Sequence, residues 1–385
     1  MDFLSEVLKI IEGATKANAS MASSYAGLLA DKLEKAGEVK QARMIRERLQ
    51  RAPQALAGAQ RAGGGISPNS LPVDSESRLS TVDVSYPDLS EKELVLPSAV
   101  EARVNEFVVN IERFDEFLRA DSALPNRMLI YGNPGTGKTM LARKIAGRLG
   151  IPLLTIRCDT LMSSMLGQTS KNLRQVFEYA TQLPCVIFLD EFDALASARG
   201  NERDIGELQR VVISLLQNID SLPAEQIVIA STNHEQLLDP AIWRRFSFRI
   251  SMPMPELAQR EQIWKVKLHS MLNPAINLQD LAKKSDLLSG SVIEQVCLDS
   301  RRDAVIDGEK YVNIAKLYRR LYVAIALQIG KKLNSIEDEI IWLRAQDTKI
   351  FSLRTLATLY KYSTRAIGNI LKESETYEPQ RSTEH

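Results

Sequence analysis

One loop, the segment GNPGTGKT at Gly132–Thr139, constrains the fold of this chain more than any other feature. It follows the apolar run MLIY and precedes a stretch with helical periodicity, MLARKIAGRL, and its spacing is G-x-x-x-x-G-K-[ST]. Glycines permit a tight turn, so that successive backbone N–H groups point at an anion in front of a helix. Lys138 is placed to reach the β- and γ-phosphates, and the Thr139 hydroxyl is placed for Mg²⁺. A chance match to this spacing rarely falls between a predicted strand and a predicted helix, so the sequence predicts a nucleoside triphosphate site.

Composition limits the classes of protein to which the chain can belong. With 385 residues, two domains or three segments are expected, and 44% hydrophobic residues suffice for a buried core. The net charge of +1 provides no overall field for nucleic acid or membrane binding. No apolar run reaches the ~18 residues of a membrane span, and the acidic N-terminal segment does not resemble a signal peptide. Three widely spaced cysteines predict neither a zinc site nor a disulfide framework, so we expect a reduced, cytoplasmic protein without membrane contact.

The N-terminal part divides into a helical hairpin and a linker. Helical periodicity at residues 2–14 and 21–51, interrupted by Gly37, predicts a hairpin over residues 1–51. Its last helix is basic, which is typical either of a solvated face or, less commonly, of a surface for an acidic partner; the cations are Lys40, Arg43, Arg46, Arg48 and Arg51. Residues 52–90 are rich in Ala, Gly, Ser and Pro and predict a flexible linker that lets the hairpin move relative to the rest of the chain.

Apolar strands then alternate with helices. An amphipathic helix over Leu94–Ala120 leads into MLIY, and LLTIR, CVIFL and IVIAST follow, with a short last strand near FSFRI. Strands that are apolar almost throughout and separated by helices indicate a parallel sheet covered on both faces, which is an α/β fold. From Leu257 onward the pattern is helical, which predicts a smaller all-α part.

Two segments after the loop contain further candidate catalytic residues. In CVIFLDEFDAL, Asp190 ends a strand where it would face the loop's magnesium through water, and Glu191 is placed to orient or deprotonate the attacking water. Asp193 is interpreted either as a helix cap or as part of this site. Asn233, just past IVIAST, can hydrogen-bond the γ-phosphate or its water. Arg244 and Arg245 have no special role on a monomer surface, but in an oligomer they could act as arginine fingers on the neighbour's γ-phosphate.

Taken in order and spacing, the loop, the acidic pair, Asn233 and LDPAIWRRF resemble the AAA family of ATPases over roughly residues 95–305. The resemblance implies a P-loop NTPase fold with a five-stranded parallel sheet of order 5-1-4-3-2 over residues 91–255 and a helical lid over 256–330. The loop is then Walker A and Asp190–Glu191 Walker B. The residues implied in ATP binding are Gly132, Asn133, Pro134, Gly135, Thr136, Gly137, Lys138, Thr139 and Met140, with Gly290 and Ser291 of LSGSVIEQV in the lid. Thr139 and Asp190 would hold Mg²⁺.

The resemblance also implies assembly and work on a protein substrate. Paired arginines match the members that remodel proteins, so a homo-oligomer, most simply a hexameric ring with ATP at each interface, is expected. The first pore loop of such members contains an aromatic residue, whereas this chain has Met165 and Leu166 before Gly167. Methionine can grip a polypeptide non-specifically, and the alternative is that both apolar side chains pack beneath the loop.

A second signal lies in residues 331–385. FSLRTLATLYKYSTRAIGNILKE indicates a helix, a short turn and a second helix, with Ala357 at the small position and Ile367 and Leu371 on the inner face. This pattern resembles a DNA-binding helix-turn-helix, although Lys361 stands where Gly is common. Such helices also serve as plain packing units. The cations that could meet phosphates are Arg354, Lys361, Arg365 and Lys372, and the side chains that would approach bases are Thr364, Arg365 and Asn369.

The preferred interpretation is an ATP-hydrolysing ring whose N-terminal hairpin recruits a protein substrate or partner. One alternative is a DNA-associated AAA ATPase that regulates a partner effector. A looser resemblance to bacterial AAA ATPases paired with a subtilisin-like protease points in that direction. The other alternative is a nucleotide-gated scaffold with little turnover, which the presence of Glu191 and the two arginines disfavours.

Overall fold

The computed structural model describes residues 3–15, 19–50, 82–88, 94–157, 166–195 and 202–377. They form two compact units. The first comprises Met1–Asn133 and Gly137–Met252, and the second comprises Pro134–Thr136 and Pro253–His385.

The first unit is built on a six-stranded sheet of order β1-β3-β4-β5-β2-β6. Its strands are β1 (Val82–Ser85), β2 (Arg127–Tyr131), β3 (Leu153–Arg157), β4 (Val186–Asp190), β5 (Ile227–Thr232) and β6 (Phe248–Ser251). The five strands β3, β4, β5, β2 and β6 run parallel to one another, which confirms the predicted parallel sheet and its order. The sequence did not indicate β1, which pairs antiparallel with β3 and lies in the range interpreted as linker.

Helices cover both faces of this sheet. They are α4 (Ser98–Glu112), α5 (Phe114–Arg119), α6 (Lys138–Leu149), α7 (Leu166–Ala180), α8 (Glu202–Ser221) and α9 (Pro240–Trp243). Alternate strand residues enter two separate cores: Leu129 packs with the α7 and α8 side, and Ile130 packs with the α4 and α6 side. This arrangement explains why the strands are apolar throughout. The expected single helix over Leu94–Ala120 is two helices, since α4 begins after Pro97 and Arg113 separates it from α5.

The N-terminal segment folds as three helices, α1 (Leu4–Thr15), α2 (Ala19–Lys35) and α3 (Val39–Gln50), and belongs to the first unit. Ser5 N donates to Asp115 Oδ2 at 3.3 Å, and Tyr25 is buried in a cavity wall that Cys185 shares. Burial raises the pKa of Tyr25, and the nearby Cys185 acts in the same direction. On α3, Arg46 pairs with Asp31 and Glu34, which favours the solvated-face interpretation of the basic helix.

The second unit contains only helices among its described elements: α10 (Leu257–Leu268), α11 (Leu278–Lys284), α12 (Gly290–Asp307), α13 (Ile314–Gln328), α14 (Ile336–Gln346), α15 (Leu353–Tyr360) and α16 (Thr364–Tyr377). Several begin at a side-chain cap, as at Asn313, Ser335 and Ser352, which satisfies backbone N–H groups of the first turn. Trp264 and Phe351 are fully buried in this unit. None of the helices in the described ranges is long and apolar enough to cross a bilayer.

Candidate active site

The predicted phosphate-binding loop, Gly132–Thr139, connects β2 to α6 through glycines with positive φ. Gly132 has φ 138°, and a Cβ there would lie 2.3 Å from the carbonyl oxygen of Met252. Gly137, with φ 98°, is the N-cap residue of α6, and a Cβ there would meet Leu94 at 2.9 Å. Only glycine fits both positions without displacing a neighbour, so the loop shape is fixed by its sequence.

Lys138 is the first residue of α6 and is 7% exposed. Its Nζ donates to the carbonyl oxygens of Gly132 and Asn133, at 2.7 and 2.9 Å. Burial lowers the pKa of Lys138, whereas the nearby carboxylates of Asp190 and Asp193 act in the opposite direction. The ammonium group therefore lies within the loop, where the sequence predicts that it contacts phosphates.

The oxygens that the sequence assigns to magnesium lie side by side. Thr139 Oγ1 donates to Asp190 Oδ2 at 3.2 Å. Asp190 Oδ1 accepts from the backbone N–H of Glu191 at 3.1 Å and from the Ser231 hydroxyl. A hydroxyl and a carboxylate that lie next to each other in space fit Mg²⁺, because this ion usually takes waters and substrate phosphates as its other ligands. Sequence reasoning missed Ser231, although a polar residue near the end of the apolar run IVIAST was a usable signal.

Glu191 follows β4 directly and is exposed. Its φ is 53°, in the left-handed region that a residue with a Cβ rarely adopts. Such strained positions are concentrated at functional sites, where the surrounding structure enforces them. The conformation turns the chain sharply after Asp190, so that the two carboxylates do not continue the alternation of a strand.

Asp193 connects the acidic segment to the next strand. It lies in a short 3-10 turn over Phe192–Leu195 and is 9% exposed. Its Oδ1 accepts from the backbone N–H of Asn233 at 3.2 Å, so it holds the residue that follows β5. Asn233 itself is half-buried at this same edge of the sheet, beyond the carboxyl end of β5. The long-range bond between these two residues was not readable from the sequence.

The two arginines after α9 differ in their surroundings. Arg244 is exposed. Arg245 is held by its own chain: its Nε and Nη2 donate to the Asp220 carboxylate at 2.8 to 3.0 Å, and its Nη1 donates to the Ala241 carbonyl oxygen at 2.7 Å. Of the two guanidinium groups, only that of Arg245 is therefore held by hydrogen bonds that fix it to Asp220 and Ala241.

In the second unit, the tip of the loop meets the start of α12. Ser291 N donates to the carbonyl oxygen of Gly135 at 3.1 Å, and the hydroxyls of Ser289 and Ser291 are 3.1 Å apart. Gly290 is the first residue of α12, and a Cβ there would lie 3.6 Å from the Gly135 oxygen. Ser291, one of the two predicted lid residues, therefore contacts Gly135, a loop residue that belongs to the same unit.

The other predicted site residues are described in part. Asn133 and Pro134 are exposed at the loop, and Thr136 and Met140 are half-buried. In the predicted pore loop, Met165 lies outside the described residues, and Leu166 and Gly167 are the first two residues of α7, with side chains outside the described set. Among the described residues no group of three His, Cys, Asp or Glu side chains could hold a metal ion.

Comparison with known proteins agrees with this geometry. The model of the ATPase family associated with various cellular activities (AAA) matches residues 128–254. An AAA family ATPase of Sinorhizobium fredii, y4kL, is 35% identical over 294 residues, which cover 76% of this chain and 86% of that protein.

Matches to longer relatives are partial. The cell division cycle protein 48 homolog of Archaeoglobus fulgidus is 37% identical over 195 residues, which are 49% of this chain and 27% of that protein. The proteasome-activating nucleotidase of Methanococcus vannielii is 34% identical over 220 residues, 55% of this chain and 53% of that protein. The site and the extent of these matches, above all along y4kL, show that the chain belongs to the AAA family of ATPases.

Proposed function

We propose that this ATPase works as a homo-oligomeric ring, with six protomers as the expected number, in which hydrolysis remodels a protein partner. The observation that supports it most is the contrast between the two arginines. Arg245 is tied to Asp220 of its own chain, whereas Arg244 is exposed next to it on the same turn. An exposed arginine held on a fixed turn is suited to stabilise transition-state charge on a triphosphate bound by an adjoining protomer.

Each pocket residue then has a distinct task. Lys138 and the loop N–H groups bind the β- and γ-phosphates, and Thr139 and Asp190 would hold Mg²⁺, which neutralises charge that develops on the phosphate oxygens when it is bound. Glu191 accepts the proton of the attacking water or orients that water. Asn233 positions the water or the γ-phosphate, and Asp193 fixes the backbone of Asn233.

Remodelling of a protein is supported by the kind of relative that the chain matches, among them a proteasome-activating nucleotidase and a cell division cycle protein 48 homolog. We assign partner recruitment to helices α1–α3 and substrate contact to the pore-loop segment Met165–Gly167. Methionine and leucine bind a polypeptide less firmly than an aromatic side chain does. We therefore expect the substrates to be loosely folded and not stable proteins.

The variant Glu191→Gln tests the assignment of the base. It preserves size and removes the charge, so ATP affinity is expected to remain and hydrolysis to fall by about 10²-fold or more. Glu178→Gln, which changes an exposed glutamate of α7 paired with Arg174, is the matched control and is expected to hydrolyse ATP normally. Normal turnover by Glu191→Gln, with ATP bound, would overturn the assignment.

A DNA-associated ATPase that regulates a partner effector is the second candidate, and it is supported by the two consecutive helices α15 and α16, which only residues 361–363 separate. Turnover stimulated by unfolded polypeptide and not by duplex DNA supports the remodelling function, and the reverse supports the second candidate. An assembled ring that binds ATP without turnover would instead indicate a nucleotide-gated scaffold.

A further inference from the structure

We propose that the outward face of the last two helices, α15 and α16, is a binding surface for duplex DNA. In this assignment Arg354 and Lys361 contact phosphates, and Arg365 and Asn369 enter a groove. None of these residues belongs to the predicted ATP site, so the inference stands whether or not the chain remodels a protein.

The two helices form a fixed pair joined by the three residues 361–363. Lys361 ends α15 in a left-handed conformation, with φ 57°, and Tyr362 N donates to the Ala357 carbonyl oxygen at 3.0 Å. The Ser363 hydroxyl then accepts from Ala366 N at 3.1 Å at the start of α16. Each residue of the connection thus has a defined backbone role, so the relation between the helices is set by local bonds and not by a loose loop.

The exposed face of α16 carries side chains of the types that contact base edges in the major groove of DNA. Ile367 is fully buried, and Arg365 and Asn369, two residues to either side of it, are exposed on the opposite face together with Lys372. Their spacing of four and then three residues makes one stripe along the helix. Arg matches the acceptor edge of guanine and Asn the donor–acceptor edge of adenine, and the major groove has room for one α-helix.

Charge on this pair is locally positive even though the chain as a whole is nearly neutral. Between Leu353 and Tyr377 the basic side chains outnumber the acidic ones; they are Arg354, Lys361, Arg365 and Lys372 against Glu373 and Glu375. A nearby carboxylate, Glu339 of α14, is already occupied, since Arg319 Nε donates to it at 2.6 Å and the Tyr360 hydroxyl at 2.7 Å. The surface is therefore suited to a polyanion, with affinity that depends on a few local contacts.

The pair is also rigidly mounted in its unit. Phe351, just before α15, is fully buried against the Tyr322 ring, and Arg344 Nη1 donates to its carbonyl oxygen at 2.9 Å. Arg319 lies over the Tyr360 ring at 5.1 Å, which ties the end of α15 to α13. A recognition surface that is ordered before binding loses little conformational entropy when it meets DNA.

The test uses the full chain and fluorescence anisotropy with labelled duplex DNA at a series of salt concentrations. We expect binding at about 50 mM salt that weakens steeply by about 200 mM. Arg365→Ala is expected to weaken the affinity about tenfold, equivalent to about 1.4 kcal/mol, and Asn369→Ala to weaken it in the same direction. Arg302→Ala is the matched control, because it removes an exposed arginine from α12 of the same unit, and it is expected to change the affinity by less than about twofold.

All three variants change exposed side chains, so circular dichroism and thermal melting should match the unaltered chain. Failure to bind duplex DNA at about 50 mM salt overturns the proposal. So does DNA binding that neither Arg365→Ala nor Asn369→Ala weakens, and so does equal affinity for a duplex RNA of the same sequence. Because none of these measurements requires hydrolysis or assembly, a negative result leaves the proposed ring function unaffected.

Discussion

The two arginines after α9 are expected to have different roles, and separate alanine variants distinguish them. Arg244→Ala removes the exposed guanidinium that we assign to the neighbour's triphosphate. Arg finger residues contribute about 10³-fold or more to kcat, so this variant is expected to lose hydrolysis while it keeps ATP affinity and thermal stability. Arg245→Ala is expected to act mainly on stability.

The magnitude for Arg245 follows from its contacts. Three N–H···O contacts join it to Asp220, and the two side chains are 27% and 45% exposed. Because the carboxylate is almost half exposed, water screens the pair and rehydrates Asp220 when the arginine is removed. With the bond to Ala241 included, we expect a loss of about 1–2 kcal/mol in the free energy of unfolding, or about 2–8 °C in Tm.

Steady-state ATPase rates, ATP affinity and differential scanning calorimetry measured on both variants provide the test. Asp220→Asn is the matched control: it should lower Tm by a similar amount, and the double variant with Arg245→Ala should be less destabilised than the sum of the two. If Arg245→Ala abolished hydrolysis at an unchanged Tm while Arg244→Ala stayed active, the two roles would have to be exchanged.

Three further predictions concern single contacts. Lys138→Ala should weaken ATP binding by about tenfold or more, because a charged group inside the loop is lost, and calorimetric titration with unchanged affinity would contradict this. Asp193→Ala should lower kcat about tenfold with little change in ATP affinity, because it releases the backbone of Asn233; equal losses in both would remove the positioning role. Burial alone would raise the pKa of Asp347, but hydrogen bonds, first of all from Lys284, lower it below its ordinary value of about 3.9. Its contribution to stability is therefore present above that value and is lost as the pH falls through the lowered pKa, so melting curves below about pH 4 should drop less steeply for Asp347→Asn than for the unaltered chain.

Much of the catalytic subdomain was predictable because its signals are local. A strand, a glycine loop and a helix in succession indicate the site, and strands that are apolar on both faces indicate a covered parallel sheet, as Leu129 and Ile130 show by entering opposite cores. Side-chain roles carried by the motif itself, such as the pairing of Thr139 with Asp190, follow from the same spacing.

What escaped prediction depends on contacts between distant residues or on short elements. β1 has four residues, too few for a period to be recognised, and pairing with β3 stabilises it. The bonds from Arg245 to Asp220 and from Asn233 to Asp193 join elements whose proximity is set by the fold. The left-handed backbone of Glu191, with φ 53°, also escaped prediction, because a residue with a Cβ rarely adopts it.

If each active site is shared between protomers, as we propose, mixing two inactive variants should restore activity. Glu191→Gln keeps its arginine and loses its base, whereas Arg244→Ala keeps its base and loses its arginine. In mixed rings, about one interface in four joins an intact base to an intact arginine from the adjoining subunit, because such interfaces are heterologous. We expect ATP hydrolysis, which is absent in either variant alone, to reappear in the mixture. A mixture that assembles and stays as inactive as its components would show that Arg244 does not complete the site of an adjoining subunit.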